Sequence, residues 1–179
     1  KFIILNFALL FPLFLPASFL SVNNEVKAGL EIQWDDDPEF KKLKWFQKNN
    51  KERARNKIFF FLRKRERKAA LLKINMKIPK HFNSTLNEDK VSLCKVIIGG
   101  FDSRTKCLQE VPADIELNEE NKSLDIFPYN PIPLNKDTYA VVFKIFNPKR
   151  SGLYQFHSFG QASGNNFSNY LGSWTIVID

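Results

Sequence analysis

The chain has 179 residues, 44% of them hydrophobic and 26% charged, with eighteen Phe, two Cys, two His and a formal net charge of +8. Such a composition supplies ample apolar area for one folded domain and does not resemble that of a disordered chain. His81, His157, Cys94 and Cys107 have no recognisable ligand spacing, so a zinc framework is not expected, and no other cofactor is implied.

The chain opens with Lys1 followed by "FIILNFALLFPLFLPASFL". A positive start, an apolar core and a small-residue exit predict a secretory signal peptide over 1–28, cut before Gly29. The rival is an uncleaved anchor, but Pro12 and Pro16 interrupt the run against the ~20 residues a spanning helix needs. No later segment is long enough to span a membrane. The expected locale is therefore exported: periplasm, thylakoid lumen or cell surface.

Beyond the leader the charge is unevenly placed. Residues 29–40 carry Glu31, Asp35, Asp36, Asp37 and Glu39 and no base, a net of −5. Residues 41–80 carry sixteen Lys or Arg against Glu52 and Glu66, a net of +14, while 81–179 nearly balance. The basic block holds the candidate anion-binding residues Lys41, Lys42, Lys44, Arg53, Arg55, Arg63, Lys64, Arg65, Arg67 and Lys68. Interleaved with Trp45, Phe46 and Phe59-Phe60-Phe61, it has the composition of a nucleic-acid surface. Export argues against that partner. An anionic envelope or membrane surface, or an acidic protein, is expected instead, with a merely solvated face as the plain alternative. Asp35-Asp36-Asp37 folds back onto this block or binds a cation such as Ca²⁺, although no Gly-containing loop of alternating oxygens follows it.

Residues 29–56 read as a charged lead-in and 57–179 as a β-sandwich domain. "FKKLKWFQKNNKERARN" (40–56) places Phe40, Leu43 and Phe46 at helical spacing, but Asn49-Asn50 interrupts it. A short helix and an extended lead-in both stay open. "IFFFLR" (58–63) reads as a strand covered on both faces. "RKRERKAA" is a charged connection, and "LKINMKIP" alternates Leu72, Ile74, Met76 and Ile78 against Lys73, Asn75 and Lys77 as a half-buried strand. "VSLCKVII" (91–98) runs into Gly99-Gly100, which lets the chain turn back. In an oxidising compartment a Cys94–Cys107 disulfide is then expected, worth roughly 3 kcal/mol.

Residues 113–128 predict two short strands about the turn Asn118–Asn121, and the Pro-punctuated "YNPIPL" is expected to cross between layers. Strands follow at 137–146, 152–160 and 170–179. Phe143 and Ile145 on one arm, with Tyr154 and Phe156 on the other, fit a hairpin turned by 147–152. About eight strands at short spacing predict one antiparallel β-sandwich, Ig-like or jelly-roll-like, with a small barrel as the neighbouring option.

Catalytic signatures are absent. No Gly-x-Ser-x-Gly elbow is present, His157 sits in an alternating strand, and Asp114, Glu116, Glu119 and Glu120 read as a solvated hairpin. A hydrolase or carbohydrate-active module built on His157 or those carboxylates is the alternative to a binding role.

The closing segment "FNPKRSGLYQFHSFGQASG…NYLGSWTIVI" resembles the C-terminal half of a cyanobacterial exported family, domain of unknown function 2808. The residues that carry the likeness are Asn147, Pro148, Lys149, Gly152, Tyr154, Phe156, Tyr170, Leu171, Gly172 and Trp174. The family has no established activity, so the resemblance implies an exported setting and these structural positions, and no mechanism.

Overall fold

Five consecutive buried residues make Ile58–Leu62 the spine of the molecule. Alternation sends Ile58, Phe60 and Leu62 to one face of the strand and Phe59 and Phe61 to the other, and both sets are dry. The computed structural model describes residues 41–100 and 103–179. The expected leader, its cut before Gly29 and the acidic run 29–40 lie outside the described residues. All described residues belong to one compact unit, Asp36–Asp179.

Among the described residues ten strands follow in chain order: β1 (Trp45–Gln47), β2 (Arg55–Leu62), β3 (Leu71–Lys77), β4 (Val91–Ile97), β5 (Lys106–Val111), β6 (Ala113–Asn118), β7 (Ser123–Pro128), β8 (Thr138–Phe146), β9 (Gly152–Ala162) and β10 (Ser168–Ile178). They form two five-stranded antiparallel sheets, β1-β2-β8-β4-β5 and β10-β9-β3-β7-β6. The expected all-β sandwich is what the chain adopts. Between the sheets Phe60 packs against Phe143, Phe156 and Trp174 with ring centroids 5.0–5.2 Å apart. The Trp174 indole N–H donates to the Phe61 carbonyl at 3.1 Å, tying β10 to the facing sheet. The Cys94–Cys107 disulfide joins neighbours β4 and β5, with Cα atoms 5.5 Å apart.

Two expectations are corrected, one reading left open is decided, and one strand enters that the sequence did not signal. Residues 41–56 form no helix. They run extended on either side of a turn at 51–53, with Leu43 buried and β1 paired on β2, because the open edges of β10 and β2 offer the backbone partners that outweigh a short apolar periodicity. Strand β5 carried no readable signal, since its residues are mostly exposed on both faces; pairing to β4 and the disulfide hold it. In β3 it is Leu71 that is buried, whereas Leu72 is exposed, because a register shift between Leu71 and Lys73 reverses the alternation at the strand's entry.

The second correction concerns 147–152, which turns no hairpin. β8 pairs with β2 and β4, and β9 pairs with β10 and β3, so these residues cross from one sheet to the other. Phe143 and Phe156 do meet, edge to face at 6.1 Å, but through the core and not along a ladder. Gly152, at φ +147°, makes the re-entry that a side-chain-bearing residue rarely adopts.

The register brings four connections to one end of the sandwich. β2 ends where Leu62 faces Tyr139, and β4 ends where Val96 faces Thr138 at the start of β8. β3 begins where Leu71 faces Ala162 at the end of β9. The β2–β3, β4–β5, β7–β8 and β9–β10 connections therefore share this end, called here the β2–β3 end. The opposite β8–β9 end carries the β1–β2, β3–β4, β6–β7 and β8–β9 connections.

Candidate functional site

Three parts of the chain meet at the β2–β3 end to enclose a cleft of about 870 Å³. Residues 41–43 arrive along the edge of β10. The Leu43 N–H donates to the Ser173 carbonyl at 2.8 Å, and the Ser173 N–H donates to the Lys41 carbonyl at 2.7 Å. That contact depends on Gly172. A Cβ there would lie 2.6 Å from the Lys41 carbonyl oxygen and 2.7 Å from Leu43, and its φ is +140°. Gly172 and the buried Leu43 thus seat Lys41 and Lys42 on the rim.

The second wall is the β2–β3 connection. Lys64–Glu66 forms a 3₁₀ turn in which Glu66 reaches back to the Arg63 backbone N–H at 2.6 Å. The Glu66 carboxylate also accepts from the Arg63 side chain at 2.5 Å and from Arg65 Nε at 2.8 Å. Burial alone would raise this carboxyl, but hydrogen bonds from Arg63 and Arg65 outweigh it and hold it below its ordinary value. The acid is thereby spent inside the turn, and Lys64, Arg65 and Lys68 stay exposed around it.

Arg67 does not belong to that surface. It is 1% exposed and donates to the carbonyls of Leu62 at 2.5 Å, Asn135 at 3.2 Å and Asp137 at 3.0 Å. Its guanidinium also lies 4.8 Å from the Tyr139 ring centroid. Burial draws its pKa below the ordinary arginine value, with Tyr139, Glu66 and Asp137 opposing. Here the β2–β3 and β7–β8 connections cross, and their carbonyls need donors that a planar guanidinium supplies. Arg67 is a structural clamp, and its place among the candidate anion-binding residues is withdrawn.

The floor is apolar. Leu43, Leu71 and Leu171 line it with Gly160 and Ala162, and Asn165, Asn169 and Tyr170 close the third side from the β9–β10 hairpin. Of the ten cations singled out in the sequence, Lys41, Lys42, Arg65 and Lys68 line this cleft. Arg63 and Lys64 stand in the same connection, and Lys44 flanks β2 through its carbonyl on the Phe61 N–H. Arg53 and Arg55 are carried to the opposite end, where the Arg53 N–H donates to the Pro148 carbonyl and the Arg55 guanidinium lies 5.5 Å from the Phe146 ring. Asn165 and Asn169 were missed; an Asn-rich turn, "GNNFSN", around an exposed Phe167 is the signal that marks it.

The C-terminal motif residues take structural roles at three places. Asn147 is buried: its side-chain oxygen accepts from the Asn56 amide at 2.9 Å, and its own amide donates to the Asn49 and Lys51 carbonyls at 3.1 and 2.7 Å. The Tyr154 hydroxyl donates to the Arg150 carbonyl at 2.7 Å, closing the turn that Pro148 and Gly152 shape. Phe156 and Trp174 fill the core, and Tyr170 and Leu171 line the cleft.

The residues of the catalytic alternative are placed as follows. His157 Nδ1 lies 2.7 Å from the Ser173 hydroxyl, which is also 2.6 Å from the Tyr170 hydroxyl. Ser173 is fully buried on β10, at the point where residues 41–43 bridge to it. Asp114 is engaged by the Tyr129 hydroxyl at 2.9 Å, and Glu116, Glu119 and Glu120 are exposed along the β6–β7 hairpin. Among the described residues no three His, Cys, Asp or Glu side chains gather as a metal site, and no helix is long and apolar enough to cross a membrane.

A two-sheet β domain with a basic cleft at one end and a stitched turn at the other is the class these observations define. The chain belongs to the family described as protein of unknown function DUF2808, which matches residues 35–178. No curated protein matches it by sequence. Among solved structures it is similar to the bacterial hydrophobin BslA, at 11% identity and a TM-score of 0.47, over 77% of this chain and 97% of that one. It is also similar to the collagen-binding domain of a Staphylococcus aureus adhesin, at 12% identity and a TM-score of 0.40, over 75% of this chain and 95% of that one. A third is the collagen-binding subdomain of the Enterococcus faecalis surface protein ACE, at 7% identity and a TM-score of 0.40, over 74% and 95% of the two chains.

Proposed function

We propose that the chain is an exported, non-catalytic binding domain that docks to an anionic surface or partner through the β2–β3 end. The observation that carries this reading is the convergence of Lys41, Lys42, Arg65 and Lys68 on one cleft while Glu66 is occupied by Arg63 and Arg65. A chain segment with a net of +14 could have been spread over the whole surface. Instead its cations split, and one group rims an apolar floor. The disulfide is compatible with an oxidising, exported compartment. Nucleic acid is not a proposed partner, since export would remove the chain from it.

Retention on a heparin-like matrix tests the reading. The protein is expected to bind at low salt and elute as salt rises, because exposed charges are screened over about 10 Å at 0.1 M ionic strength. Changing Lys64, Arg65 and Lys68 together to Gln is expected to move elution to lower salt with thermal stability unchanged. Passage of the wild type through the column at low salt would end the proposal.

The contact between His157 and Ser173 favours a second reading, a Ser-dependent hydrolase. The burial of Ser173, with its hydroxyl shared by Tyr170, supports a structural hydrogen-bond relay instead. A serine-reactive fluorophosphonate is expected to leave Ser173 unlabelled; labelling at that residue would revive catalysis.

A further inference from the structure

The β2–β3 end carries a feature that charge alone does not explain. Phe167 is 78% exposed, Leu134 49% and Ile98 42%. Each stands on a different connection of this end: Phe167 in the β9–β10 turn, Leu134 between β7 and β8, and Ile98 just after β4. Exposed apolar side chains scattered singly are ordinary, but these three share one end with the cationic cleft. We propose that the β2–β3 end is a peripheral docking surface for an anionic lipid bilayer, on which Phe167, Leu134 and Ile98 enter the headgroup–acyl boundary while the cleft cations hold lipid phosphates.

The inference rests on the reading that this end binds anions, and it names the partner. Charge complementarity supports it on both sides. In the β2–β3 and β7–β8 connections the described acids are Glu66 and Asp137, and both are engaged: Glu66 by Arg63 and Arg65, Asp137 by Lys95 at 2.6 Å. Anionic headgroups approaching these two connections therefore meet cations and apolar tips. The chemistry is that of a basic surface presenting aromatic and aliphatic anchors, in which charge brings the protein to the leaflet and apolar burial holds it. A soluble polyanion would use the cations and leave the apolar tips in water. The opposite end mixes the two signs: exposed Glu52, Glu88, Asp89, Glu119 and Glu120 stand there beside Lys51, Arg53, Lys149 and Arg150, and its exposed Phe146 lies against the Arg55 guanidinium.

The test is co-sedimentation of the protein, as its producing cells export it, with two kinds of vesicle. One is phosphatidylcholine alone; the other has about one phosphatidylglycerol in three lipids. Binding is expected on the mixed vesicles and not on phosphatidylcholine. Phe167→Ser, at an exposed site that leaves the fold intact, is expected to lower the partition coefficient about tenfold. Retention of this variant on heparin-like matrix is expected to match the wild type. In Phe167→Trp the emission is expected to shift to the blue with mixed vesicles only.

Equal partition of wild type and Phe167→Ser, or equal binding to both vesicle types, would overturn the lipid assignment. Retention on heparin-like matrix without binding to mixed vesicles would also overturn it, and would leave the broader anion-binding reading standing. Failure on both supports would remove both.

Discussion

The two ends of the sandwich draw on the same basic stretch of chain and use it in opposite ways. At the β8–β9 end the backbone is closed by polar side chains: Asn56 and Asn147 bond one another and cap the 48–51 turn, and the Asp179 N–H donates to the Asn50 carbonyl at 2.7 Å. At the β2–β3 end one buried arginine, Arg67, does the equivalent stitching, which leaves Lys64, Arg65 and Lys68 outside. The difference teaches that a run of like charges need not be one surface. Arg67 was drawn inside because the connections it crosses needed hydrogen-bond donors, and its neighbours in the run stayed outside.

The sharpest way to break the contrast is to unseat residues 41–43. Gly172→Val would place a branched side chain against the Lys41 carbonyl and Leu43. A loss of about 4 kcal/mol is expected from backbone strain and overpacking, measured by denaturant unfolding. Hydrogen exchange at Leu43 and Ser173 is expected to rise in the same variant. A stable variant with both amides protected would show that Gly172 does not control the cleft.

Next in size is the disulfide. Replacing Cys94 and Cys107 by Ala is expected to cost about 3 kcal/mol, because it frees the loop between β4 and β5 in the unfolded chain. Since β5 has little apolar burial of its own, its amides are expected to lose protection first. Asn147→Ala is expected to cost about 2 kcal/mol by leaving the Asn56 amide and the Asn49 carbonyl without this partner and removing one of the two donors to the Lys51 carbonyl. Its effect should be confined to the β8–β9 end, with anion retention unchanged. A retention defect there would mean the two ends are coupled.

The smallest effect is the pH response of Glu66. Its folded pKa is depressed, so its contribution is present above the ordinary carboxylate value and is lost as pH falls through the lowered one. Melting temperature is expected to fall more steeply with acid in the wild type than in Glu66→Gln. Parallel curves would show that the Arg63–Glu66–Arg65 turn adds nothing.

Much of the sandwich was legible in the residues themselves. The dry run of β2, the β6–β7 hairpin and the two cysteines separated by a Gly pair each carry a local physical signal, either continuous apolarity, alternation or turn chemistry. The family resemblance at 141–178 was legible too, through Asn147, Gly152, Tyr154 and Trp174. β5 was not, because an edge strand with two wet faces has no hydrophobic period. The bulge at Leu71–Lys73 was hidden for a related reason, since Leu71 and Leu72 are equally apolar and nothing in the pattern says which of them faces the core.

Of the candidate site, the sign of its charge was in the sequence, and its membership was not. Net charge is a sum over residues and survives any fold. Which cations stay in water depends on which backbone carbonyls the connections leave unpaired, and those belong to segments distant along the chain. Arg67 and Arg65 are two positions apart, yet one is buried among the carbonyls of Leu62, Asn135 and Asp137 and the other rims the cleft. The sequence by itself determined an all-β domain with a basic stretch and a cysteine pair. Only the packing of the β2–β3 connection against residues 41–43 and the β9–β10 hairpin decided that part of the stretch gathers around one cleft, because shared hydrogen bonds and burial are properties of neighbours in space.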